Sequence, residues 1–217
     1  MTEFSYLPKG LSAMVRAHQV SAMSGHLGAA VVSGYFIGDQ QPDLDKRVYR
    51  GIEAELKRII RGEVVAFSRK SDSSHQAPTM FEPFAKERPN ESLIEGIADA
   101  LSRNIDRVRE SGHNVIFSSI AIRGLKDHPD LAAPSVVDGI RRLIGRFNDA
   151  SPGSGYFGKA RGRIDGRRVF WPMMTAFHGS PTWGQWPTPS CKRCSYTLRN
   201  SVMDSAGFGI SSIMLAP

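Results

Sequence analysis

Residues 24–44 read SGHLGAAVVSGYFIGDQQPDL, and residues 111–131 read SGHNVIFSSIAIRGLKDHPDL. Ser24-Gly25-His26 returns as Ser111-Gly112-His113, and Pro42-Asp43-Leu44 as Pro129-Asp130-Leu131, both at an offset of 87 residues. Arg16 and Arg103 share that offset, while Gly51-Ile52 returns one residue late as Gly139-Ile140. Two triplets in one register indicate a degenerate internal repeat, and a repeat governs the fold reading before any motif does.

Each copy reads as three helices. Leu11, Met14, Val15, His18 and Ala22 recur at the three- and four-residue steps of one helical face, as do Ile94, Ile97, Leu101, Ile105 and Val108. The Ser-Gly-His junction opens a second, more apolar helix, Leu27–Ile37 or Val115–Leu125. Asp43 and Asp130 stand where a third helix needs an N-cap, and Pro134 reads as a helix-starting proline. Ile52, Leu56, Ile59 and Ile60 form the apolar stripe of that helix in copy one. Val136, Val137, Ile140, Leu143, Ile144 and Phe147 form it in copy two. The expected fold is all-α: two copies of a three-helix unit, about 8–63 and 94–149, forming part of an α/α toroid or solenoid. The helical-repeat domain then spans 1–149, with residues 68–91 as an irregular loop holding Pro78, Pro83 and Pro89.

From Ala150 onward the helical period disappears. Of those 68 residues, 24 are Gly, Pro or Ser, none is Glu, and all three tryptophans and both cysteines lie there. The net charge of +7 is also a property of this tail, because residues 1–149 carry 20 basic and 19 acidic side chains. Residues 150–217 are expected to form an irregular Gly/Pro/Ser-rich basic tail, with an incomplete further repeat of a longer architecture as the alternative. Two cysteines without a disulfide framework suit a reducing compartment, and no basic-then-apolar leader opens the chain. The uncharged run Ala17–Gly38 is broken by His18, Gln19, Ser21, Ser24 and His26, so it reads as a buried helix and not a membrane span. A cytoplasmic protein is expected.

The segments GHLGAAVVSGYFIGDQQPDL and GHNVIFSSIAIRGLKDHPDL resemble the inner helices of α/α-toroid proteins, a superfamily that includes terpenoid cyclases, lanthionine cyclases and six-hairpin glycosidases. The resemblance covers residues 8–149 and implies apolar inner helices with chemistry in loops at one end of the ring. None of those enzymes' catalytic motifs is present: there is no aspartate-rich run and no Trp-Cys or Cys-His-Gly triplet. It therefore implies a fold and assigns no functional residue.

Five residues and two segments carry candidate chemistry. His26 and His113 occupy equivalent junctions, where two imidazoles can act as general acid and base or can satisfy backbone groups at a helix boundary. His18 lies on an apolar stripe and reads as a third catalytic candidate or a core histidine. Arg16 and Arg103 can hold an anionic ligand bidentately or pair with carboxylates such as Asp106 and Glu110. Cys191-Lys-Arg-Cys194 has zinc-ligand spacing, with His178 upstream, but a structural zinc needs four ligands and no second cysteine pair exists. The Gly-spaced basic run 159–168 can track phosphates, without a recognised nucleic-acid motif around it. The functional expectation is an enzyme acting on a small organic molecule in a helix-lined cavity, with no cofactor or metal assigned. The alternatives are a non-catalytic scaffold for a protein partner and, less favoured, RNA binding through the tail.

Overall fold

The computed structural model describes residues 2–63, 77–155 and 164–168. They are mostly helical, in the order α1 (Tyr6–Val20), α2 (Gly25–Gln40), α3 (Lys46–Ile60), α4 (Ala77–Met80), α5 (Glu95–Ser102), α6 (His113–Asp127) and α7 (Pro134–Gly145). A helical unit ends at Gly153 and a second unit begins at Ser154. Of the second unit, the described part is a two-strand antiparallel ladder, β1 (Ser154–Gly155) on β2 (Ile164–Asp165), followed by a 3-10 turn over Gly166–Arg168. Cys191, Cys194, His178, the tryptophans and residues 159–163 of the basic run lie outside the described residues.

The most deeply buried helix is α1. Tyr6, Leu7, Leu11, Ala13, Met14, Val15 and Ala17 are all enclosed, with α2 and α7 as its main partners. Its approach to α2 is set by two glycines. A Cβ on Gly28 would stand 2.6 Å from the Met14 amide nitrogen, and one on Gly10 would stand 2.9 Å from the Gly28 carbonyl oxygen. The two backbones therefore touch, which no larger residue permits. Val31, Val32, Tyr35 and Phe36 complete the buried side of α2, while α7 contributes Val137, Ile140, Leu143 and Ile144. By contrast α3 fully buries only Leu56, so its amphipathic stripe is shallowly seated. No helix among the described residues is long and apolar enough to cross a membrane.

Several sequence expectations are corrected in detail. The N-cap of α3 is Asp45, whose carboxylate accepts the Arg47 amide at 2.7 Å, and not Asp43. Asp130 lies in the 3-10 turn Pro129–Leu131; Pro134 does start α7, and the Ser135 amide finds its acceptor in the distant Glu87 carboxylate at 3.1 Å. Ser135, by its side chain first and its backbone amide second, holds the Glu87 carboxyl below its ordinary range. The segment 68–91 is not irregular throughout, since α4 occupies Ala77–Met80 and Met80 and Phe81 enter the core. The helix expected through Val108 ends at Ser102, leaving Ile105 55% exposed. Its end has a specific cause. Asn104 is fully buried and its amide donates to the Ile144 carbonyl at 2.9 Å and to Asn148 Oδ1 at 3.0 Å. Asn114 donates in turn to Asn104 Oδ1 at 2.9 Å. The chain leaves the helix to satisfy this polar relay, because buried amides without partners are costly.

Candidate functional site

The two Ser-Gly-His junctions are built alike at first sight. A 3-10 turn over Ala22–Ser24 leads into α2, and one over Glu110–Gly112 leads into α6. Each histidine folds back on its own turn: His26 Nδ1 donates to the Met23 carbonyl at 2.7 Å, and His113 Nδ1 donates to the Glu110 carbonyl. A carbonyl only accepts, so Nδ1 carries the hydrogen in both rings and Nε2 is the basic atom. The two rings meet, with centroids 4.4 Å apart and planes inclined at 59°. Phe117 supports both, 5.2 Å from His26 and 5.7 Å from His113, and Phe147 backs Phe117 at 5.9 Å.

The glycines of the two junctions serve different ends. Gly25 is right-handed, at φ −56°, yet a Cβ there would lie 2.7 Å from the Phe117 ring. Gly112 has open space around it and is required by its backbone, at φ +90°. It closes a run of three left-handed residues with Glu110 at φ 41° and Ser111 at φ 59°, a conformation that costs non-glycine residues about 1 kcal/mol each. Residues 151–153 hold this turn in place. The Glu110 amide donates to the Ser151 carbonyl at 2.7 Å, the Ser111 amide to Pro152 at 2.8 Å, and Ser151 Oγ to the Glu110 carboxylate at 3.1 Å. Buried Arg109 adds bonds to the Ala150 carbonyl at 3.3 Å and to Asp106 at 3.0 Å.

Electrostatics favour a neutral ring at His26. Burial first, and the nearby charge of His113 second, lower its pKa from 6.5 to about 4 against the opposing Met23 hydrogen bond. A pKa near 4 leaves the His26 ring neutral at pH 7.

The other expected site residues are placed elsewhere. His18 is half-buried, donates to the Val15 carbonyl at 2.6 Å, and makes no ring contact with either histidine among the described residues. It shows the same i to i−3 bond as His26 and His113, so that bond alone marks local geometry and not chemistry. Arg16 is committed to structure: its guanidinium donates to the Met80 and Glu82 carbonyls and stacks 4.0 Å from the Phe84 ring centroid. The carboxylate expected for the repeat arginines is taken by others, since Asp106 pairs with Arg107 and Arg109. Exposed Arg103 lines a surface depression with Ala100, Asp138, Arg141, Arg142, Gly145 and Asn148. Neither this depression nor its neighbour along α5 and α7 is lined by His26 or His113. No group of three or more metal-ligating side chains occurs among the described residues. Sequence reasoning missed Phe117 and Arg109; a signal for Phe117 existed, one helical turn beyond His113. No protein-family model, curated protein or solved structure matches the chain.

Proposed function

We propose that the His26–His113 pair is the chemical centre of an enzyme that acts on a small organic molecule by proton transfer. The observation that carries this reading is the 4.4 Å separation of two rings whose Nδ1 atoms are each tied to a backbone carbonyl. Fixing Nδ1 fixes the tautomer and the ring, which orients Nε2 before a substrate arrives. His26, neutral at pH 7, takes a proton from the substrate on Nε2 and passes it to Nε2 of His113, which returns it to the substrate. The left-handed turn at Glu110–Gly112 supports the reading, since backbone strain gathers where a side chain must be held in one position.

The same reading takes the protein to be a duplicated three-helix unit of toroid or solenoid type, working in the cytoplasm. Its support is the pair of matching turn-and-helix junctions 87 residues apart. The third helices pack differently, with α7 seated on α1 and α5 while α3 rests on α2. The test is ligand-observed NMR against a library of small carboxylic acids, carbonyl compounds and amines, using the whole chain and its His26→Asn and His113→Asn variants. Folded variants that lose the binders of the wild-type chain support the site. Binders that survive both substitutions place the chemistry elsewhere.

A further inference from the structure

We propose that the depression at the C-terminal ends of α5 and α7 is a binding site for a small phosphate monoester, independent of the histidine pair. It is open to solvent, about 150 Å³ in volume, and bordered by Arg103, Arg141, Arg142, Asp138 and Asn148. Three arginines and one aspartate border it, so its charged side chains leave two positive charges. That matches a phosphate monoester, which carries about −1.5 to −2 at pH 7.

Arg142, Arg141 and Asn148 are arranged in advance, while exposed Arg103 closes on the ligand. Arg142 is held by Asp138 at 2.8 Å. Arg141 lies across α5 at Gly96, where an added Cβ would stand 3.1 Å from its Cδ and 3.2 Å from its Nε. Asn148 has its oxygen committed to the buried Asn104 amide, so its NH2 group is the end left to donate. Arg103 and Arg141 have no hydrogen bond or ion pair among the described residues, whereas most arginines here, Arg47, Arg58, Arg61, Arg107, Arg109 and Arg123 among them, do. A ligand meeting preset donors loses less conformational entropy on binding.

Arginine at a helix C-terminus also offsets the macrodipole, which is the ordinary reason for basic residues there. The dipole supplies only about half a charge at each of the two helix ends, screened by water, against two net positive charges from the side chains. The adjoining depression fixes the rest of the ligand. It shares Asp138 and Arg141 and continues to Ser92, Glu95 and Asp99, so the group beyond the phosphate carries no negative charge.

The experiment titrates the full chain with inorganic phosphate, phosphoethanolamine and 3-phosphoglycerate at constant ionic strength, reading the backbone amide of Gly145 and the side-chain amide of Asn148 by NMR. Saturable shifts are expected with phosphate and phosphoethanolamine, with weaker binding of 3-phosphoglycerate because of its carboxylate. Arg103→Gln and Arg141→Gln should each weaken binding about tenfold. Gly145→Glu should do the same without removing a contact, because a side chain there meets open space. Equal shifts with potassium chloride, or variants that bind like wild type, overturn the proposal. Retention on phosphatidic-acid vesicles without any response to soluble phosphate overturns it as well.

Discussion

His26 and His113 stand 87 positions apart in sequence, and their rings lie 4.4 Å apart in the fold, across the packed N-terminal turns of α2 and α6. Their contact makes the pH dependence of stability a direct report on the site. Because the folded pKa of His26 is depressed from 6.5 to about 4, its contribution is fully present above pH 6.5 and lost as the pH falls toward 4. The loss is on the order of 3 kcal/mol at most. Thermal unfolding followed from pH 7 to pH 4 should show this slope, and His26→Gln should flatten it. An unchanged slope in the variant means that His26 titrates normally.

Replacing either junction glycine by alanine should destabilise the protein, through different mechanisms. Gly25→Ala drives a methyl group against Phe117, so Phe117→Leu should recover part of the loss in the double variant. Gly112→Ala pays the left-handed penalty of about 1 kcal/mol, and Phe117→Leu should give no recovery. Gly112→Asn should cost less than Gly112→Ala. Urea unfolding of the single and double variants checks the distinction, and equal coupling of both glycines to Phe117 would contradict it.

The buried amide relay should be among the most sensitive positions in the molecule. Asn104→Ala strips partners from the Ile144 carbonyl, from Asn148 and from Asn114. The cost should be about 1–3 kcal/mol, because the buried Ile144 carbonyl and Asn114 side chain each keep one bond but lose another without regaining water, while exposed Asn148 is rehydrated. A midpoint shift in urea at constant slope would register it; a loss below about 0.5 kcal/mol would mean that water repairs the relay.

Much of the helical framework was legible because its signals are local. The apolar run after Ser24-Gly25 lies within α2, the run after Gly112 within α6, and Pro134 marks the start of α7. The 87-residue offset singled out the two histidines whose rings meet. What escaped the sequence depends on distant partners. The cap of α7 comes from Glu87, 48 residues away, and the turn before His113 is held by Ser151 and Pro152, some 40 residues on. Continuing the apolar face through Ile105 and Val108 carried α5 too far, since Asn104 satisfies its amide on α7 instead of continuing the helix. Arg16 looked like a ligand-binding residue because the carbonyls of Met80 and Glu82 give no sign in the sequence.

The sharpest test of the histidine pair separates its structural and chemical duties within one side chain. Nδ1 of each ring supports a backbone carbonyl, while Nε2 is the atom that would exchange a proton. Asparagine places an amide NH2 close to where Nδ1 stood and has no titrating group, whereas alanine offers neither. His26→Asn and His113→Asn should therefore unfold within about 1 kcal/mol of wild type, while the alanine variants lose about 1–3 kcal/mol with the Met23 and Glu110 carbonyls left unbonded. Proton-transfer activity should vanish in all four. If the asparagine variants keep both stability and activity, the rings serve only to close their turns, as His18 does on Val15. If stability survives and activity is lost, the function resides in Nε2 and not in the fold that carries it.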